Sequence, residues 1–129
     1  SETLEAKKVS KMVLESIWCV SQWAGDFNPA HMHDGELSGV FYTKMPKSID
    51  KERKAEDHYP TVGDIVFMSG DPKMFSGHKL QHSPEVGDIF MFPSWLTHMV
   101  YPFRTPDEER RSVSFNVKLV PEGGELITQ

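Results

Sequence analysis

Apolar and polar residues alternate with a period of two along most of this chain, which predicts strands rather than helices. From Met12 to Trp23, Met12, Leu14, Trp18 and Val20 fall on one face and Val13, Ile17, Cys19 and Trp23 on the other. Both faces are largely apolar, so the pattern predicts a buried strand. Ala24-Gly25-Asp26-Phe27-Asn28-Pro29 then has the composition of a turn. Leu37 to Lys44 reads as a second strand, ended by Met45-Pro46. The last strand, Arg110 to Val120, puts Arg110, Ser112, Ser114 and Asn116 on one face and Arg111, Val113, Phe115 and Val117 on the other. Such a polar face usually meets solvent; in a barrel that encloses a polar ligand it turns inward. Pro121-Glu122-Gly123-Gly124 ends that strand, and the tail beyond it is expected to be loose.

Between these strands a phrase recurs. Val62-Gly63-Asp64-Ile65-Val66-Phe67-Met68 is echoed 24 residues later by Val86-Gly87-Asp88-Ile89-Phe90-Met91-Phe92. Each is a Gly-Asp turn feeding a short apolar strand. Two copies do not make a solenoid, but they predict equivalent corners of one barrel. Residues 47–60, highly charged and almost without apolar periodicity, predict a surface loop: a solvated connector, with a lid as the functional alternative. Residues 1–9 carry helix formers, acids first and lysines last, and predict one or two helical turns. Short strands between frequent turns, with one brief helix, define an all-β barrel or sandwich.

The chain has 129 residues, 38% of them hydrophobic and 26% charged, as in an ordinary globular protein. That length suits a single domain over 1–129. No apolar run reaches the roughly 18 residues of a membrane helix, and no signal peptide is evident. Cys19 is the only cysteine, so no internal disulfide forms, which fits a reducing cytoplasm. A net charge of -5 argues against nucleic acid as a partner. A homodimer is left open.

The candidate chemistry lies in Asn28-Pro29-Ala30-His31-Met32-His33-Asp34 and in Phe92-Pro93-Ser94-Trp95-Leu96-Thr97-His98. On extended backbone His31 and His33 point to the same side, and His98 from a later strand can complete a facial set of three nitrogens. Such a set leaves positions open on a first-row metal, as catalysis requires. The competing reading is a half-exposed strand with ordinary histidines. If the three bind iron(II), the free positions take a bidentate 2-oxo acid and dioxygen. The distal carboxylate of that acid needs a cation deeper in the barrel. Arg110 suits it, because a guanidinium is planar and stays charged. Ser112 shares its face, and Tyr42 on the strand after His33 offers a hydroxyl.

At this point the sequence resembles the iron(II)/2-oxoglutarate-dependent oxygenases of the double-stranded β-helix fold. It is similar in particular to a bacterial and phage branch distantly related to prolyl hydroxylases. The phrases that carry the resemblance are residues 25–33, 38–42, 87–98 and 110–116, so it covers roughly 16–118. It implies a jelly-roll, cupin-like barrel in the cytoplasm of a bacterium or a phage-infected host. His31, His33 and His98 would bind iron. Arg110 would bind the 2-oxoglutarate C5 carboxylate, with Tyr42 and Ser112 assisting. The implied reaction is hydroxylation of an unidentified peptidyl or small-molecule substrate by dioxygen, with release of succinate and carbon dioxide.

One departure stands out. The wider superfamily carries His-x-Asp or His-x-Glu, and His33 replaces that carboxylate. Three neutral imidazoles leave the dication less neutralised, which lowers resting metal affinity, favours an incoming dianion and puts hydroxylation in question. Asp34 is a conceivable further ligand, although alternation points it away. The alternative family is the cupins, which would add Glu36 to the three histidines as a dioxygenase, isomerase or ligand-binding protein. Of the remaining residues, Asn28 suits a turn or a ligand equally, Trp18 and Trp23 are expected in the core, Trp95 at the substrate mouth or in packing, and Asn116 near the iron or substrate. His58, His78 and His82 are expected at the surface.

Overall fold

A computed structural model describes residues 8–33, 35–55, 60–70, 74 and 77–123. Eight strands and one helix follow one another as β1 (Val9–Gln22), β2 (Asn28–His31), β3 (Leu37–Lys44), α1 (Ile49–Lys54), β4 (Ile65–Met68), β5 (Lys79–His82), β6 (Ile89–Pro93), β7 (Thr97–Val100) and β8 (Arg110–Pro121). They form two four-stranded antiparallel sheets, ordered β1-β8-β3-β6 and β2-β7-β4-β5. Apart from the β4-β5 pair, successive strands cross between the sheets, which is the jelly-roll pattern of a double-stranded β-helix. The all-β expectation holds. No described helix is long and apolar enough to cross a membrane.

The inner faces meet over a core of Val40, Tyr42, Ile65, Phe67, Phe92 and Val100. A smaller cluster of Ile49, Val62 and Phe103 closes one end. The repeated phrase makes two corners of the same backbone form. Asp64 N–H donates to Thr61 O (2.9 Å) and Asp88 N–H to Glu85 O (3.0 Å). Gly63 (φ 67°) and Gly87 (φ 95°) adopt the left-handed conformation each turn requires. Their surroundings are opposite. Val62 and Ile65 are buried, at 4% and 2% exposure, whereas Val86 and Ile89 remain 62% and 56% exposed.

Three expectations need correction or placement. Met12–Trp23 does lie largely in a strand, but β1 is an edge strand and exposed along nearly all its length. An apolar pattern on both faces of a strand reports burial only where something covers each face; β1 lies at the rim of the cavity on one side and under no described element on the other. The charged stretch 47–60 is not irregular throughout: it contains α1, anchored by buried Ile49. Arg53 on that helix pairs with the buried Asp64 carboxylate at 3.2 Å, so charge rather than apolar periodicity fastens it. The helix expected over residues 1–9 falls mainly on residues 1–7, outside the described residues, and Val9 already belongs to β1.

In the β1-β8-β3-β6 sheet the inner face of β8 is polar, and the outer face is largely apolar. Register places Ser38 against Asn116, Val40 against Ser114 and Tyr42 against Ser112, with Gln22 against Arg110. These inward residues line or abut a cavity. The outward rows run Cys19, Val113, Phe41, Ile89 and then Ile17, Phe115, Gly39, Met91. Gly39 is required here by close approach: a Cβ on it would lie 2.1 Å from the Phe115 ring.

Candidate active site

The imidazoles come from the β2-β7-β4-β5 sheet and from the segment that follows β2. His31 ends β2 and pairs in register with His98 on β7. His33 follows two residues later, its backbone N–H bound to Ser94 O at 2.9 Å, so the turn after β6 fixes its position. The ring centroids of His31 and His33 lie 4.1 and 4.8 Å from that of His98. One ligand nitrogen from each falls within 4.8 Å of the others, a group able to hold a metal ion.

Hydrogen bonds at the far side of two rings aim the near side. His31 Nδ1 lies 2.6 Å from Pro29 O and His98 Nδ1 lies 3.1 Å from Leu96 O. Each contact requires an Nδ1–H donor, which leaves the Nε2 lone pair free for a metal. His33 Nε2 sits 3.0 Å from His98 Nε2. Burial, aided by the neighbouring imidazoles, pushes His98 down to about 4, so it is neutral at physiological pH, as a ligand must be. The donor set therefore fits iron(II), a metal that imidazole nitrogen suits.

These rings open onto a cavity of about 270 Å³ whose walls include Val40, Ile65, Phe92 and Val100. Arg110 and Tyr42, both of which line it, are 2% and 1% exposed. Arg110 Nη2–H donates to Tyr42 Oη at 3.0 Å, and the guanidinium carbon stands 5.0 Å from the Tyr42 ring centroid. Arg110 Nε and Nη1 are buried with no partner among the described residues. Burial raises Tyr42 above its ordinary value against the opposing influence of Arg110, so the phenol keeps its proton to donate. Ser112 lies on the same inner face of β8 and is also buried. A buried cation with two idle donors in a walled cavity has the chemistry to receive an anion, because an unpaired buried charge is costly.

All six residues expected in the site thus line one cavity. Glu36 does not join them: its carboxylate accepts Leu119 N–H at 2.5 Å and is absent from the metal-competent group. Asp34 lies outside the described residues. Asn116 is engaged away from the histidines, its Oδ1 accepting the Ser38 hydroxyl at 2.8 Å. Asn28 lines the cavity. Trp23 and Trp95 are exposed, 48% and 66%, which corrects the core expectation for Trp23. Trp18 is no core residue either; it lines the cavity with its ring 5.9 Å from that of His33. Gln22, which the sequence reading passed over, is a buried wall residue directly opposite Arg110. Continuing the alternation of β1 from Trp18 through Val20 would have marked it.

Fold and site together define a β-helix barrel in which a three-histidine group able to hold a metal ion shares one cavity with a buried arginine. The comparison with known families agrees. The profile of the family described as "Putative 2OG-Fe(II) oxygenase" matches residues 16–116. The chain belongs to this family of oxygenases, whose cofactor and cosubstrate are iron(II) and 2-oxoglutarate. No curated protein matches the sequence.

Proposed function

We propose that this protein is an iron(II)- and 2-oxoglutarate-dependent dioxygenase that hydroxylates a substrate still to be identified. The observation that carries the reading is Arg110, buried with its Nε and Nη1 idle, in the same cavity as the three imidazoles. His31, His33 and His98 hold the metal, and Arg110 receives the C5 carboxylate of 2-oxoglutarate through its planar fork. The Tyr42 phenol and the Ser112 hydroxyl add donors to that carboxylate. Apolar walls at Val40, Ile65 and Phe92 limit water beside the reacting groups. Iron(II), when bound, supplies dioxygen activation: one oxygen atom enters the substrate C–H bond as hydroxyl and the other enters succinate as carbon dioxide leaves.

The primary substrate, peptidyl or small, enters past Trp18 and Asn28, which line the cavity beside the histidines. The cupin alternative loses its distinguishing ligand, since Glu36 is engaged with the β8 backbone.

Anaerobic titration of the iron(II)-loaded protein with 2-oxoglutarate tests the proposal. The bidentate chelate gives a weak visible charge-transfer band, which should appear in the wild type. Arg110→Ala should weaken 2-oxoglutarate binding by at least about a hundredfold while iron stays bound, the usual scale for unpairing a buried charge. Iron binding with no band at any concentration would overturn the reading.

A further inference from the structure

The outer face of the β1-β8-β3-β6 sheet forms a second surface. A sheet face exposed to water ordinarily carries the polar half of the alternation. Here the polar residues of β8 are committed to the cavity side, and the outer face of the sheet carries apolar residues. Ile17, Phe41, Ile89 and Met91 on this face are 60%, 39%, 56% and 48% exposed, on three different strands. Scattered exposed apolar residues need no explanation; contiguous rows across four strands do.

We propose that a second copy of this chain covers the face, giving a twofold dimer in which two such sheets pack outer face to outer face. Size and charge both favour that occupant. Four strands ~4.8 Å apart and five residues of ~3.3 Å give a flat apolar centre on the order of 300 Å². Protruding side chains and a surrounding rim bring such a face toward the ~800 Å² per partner of an ordinary stable dimer. The rim is polar, as interfaces are, and Arg111 on it is already paired within the chain with Glu109 at 2.6 Å. The chain as a whole carries -5, which disfavours nucleic acid and anionic lipid as occupants. An apolar face of this kind can meet its own copy, which is what a twofold interface requires. Two twisted sheets also pack readily at about 30° to each other.

Sedimentation of the full chain across the micromolar range tests this. The expected result is a reversible species of twice the chain mass. Ile89→Glu and Met91→Lys, made separately, should each weaken dimerisation at least a hundredfold while far-UV circular dichroism stays native. Leu80→Glu, at an exposed position on the other sheet, should leave it unchanged. Cys19 lies on the proposed interface and is exposed in the single chain. Its reaction with a thiol reagent should therefore slow in the dimer and recover in both β6 variants. A monomer at all concentrations overturns the proposal. So does a dimer that both β6 variants retain, or one that leaves Cys19 as reactive as in the monomer. Binding of neutral phosphatidylcholine vesicles by a chain that stays monomeric would assign the face to lipid and likewise overturn it.

Discussion

At the scale of single residues, His33 has the largest chemical consequence. It stands where a carboxylate is expected, so the three-imidazole set carries no negative charge toward a dication. At an effective dielectric near 20, one unit charge a few ångströms away is worth several kcal/mol. His33→Asp should therefore raise iron(II) affinity by more than about tenfold and weaken 2-oxoglutarate, a dianion, in the same protein. Paired isothermal titrations with iron(II) and then with 2-oxoglutarate measure both. If the two affinities rise together, charge is not what His33 sets. The grouping of Arg110 with Ser112 and Ser114 was legible for a simpler reason: alternate positions of one strand share a face. Trp18 read as core and Gln22 was passed over because their strand looks apolar on both faces, and the pattern cannot tell a cavity wall from a packed core.

At the scale of elements, β3 and β8 hold the site by lying side by side, and Gly39 is where their outer faces meet. Adding a methyl there would place it 2.1 Å from the Phe115 ring. Gly39→Ala should destabilise the fold by about 1–3 kcal/mol, the usual cost of overpacking. The ring is half-buried on the outer face and can swing aside, which favours the lower half of that range. Adding Phe115→Ala should recover part of the loss, visible as coupling in a double-mutant cycle by urea unfolding. Additive costs would mean that the ring does not set the penalty. The helix α1 illustrates the opposite limit of sequence reading. Only Ile49 of its six residues is buried, and its other ties are polar. Glu52 accepts backbone N–H groups of Arg104 and Thr105, and Arg53 reaches Asp64. None of these leaves a trace in hydrophobic periodicity.

At the scale of the whole molecule, iron binding at the three imidazoles would be linked to folding. The three imidazoles come from β2, the segment after it and β7, and unfolding disperses them. With free iron(II) a hundredfold above its dissociation constant, the native state gains about 2.7 kcal/mol. For a domain of this size that corresponds to a rise in Tm of roughly 10 °C. An anaerobic thermal melt with and without iron(II) should show it, and His98→Ala should abolish it. An unchanged shift in that variant would place the iron elsewhere.

The alternation of residues along the chain by itself determined the strands that carry Tyr42, Arg110 and Ser112, the paired Gly-Asp corners and the facing of Arg110, Ser112, Ser114 and Asn116 to one side. Those are local properties, written in a period of two that any strand must obey. Which side is inside was decided only by the tertiary structure, because alternation is symmetric and says nothing about what lies above or below a sheet. The closed barrel turns the polar side of β8 toward a cavity and the apolar side toward the exterior. It also puts Trp18 and Gln22 on the cavity wall and Glu36 on a backbone amide. Each of these outcomes depends on strands distant in sequence coming together, and no single segment contains that information.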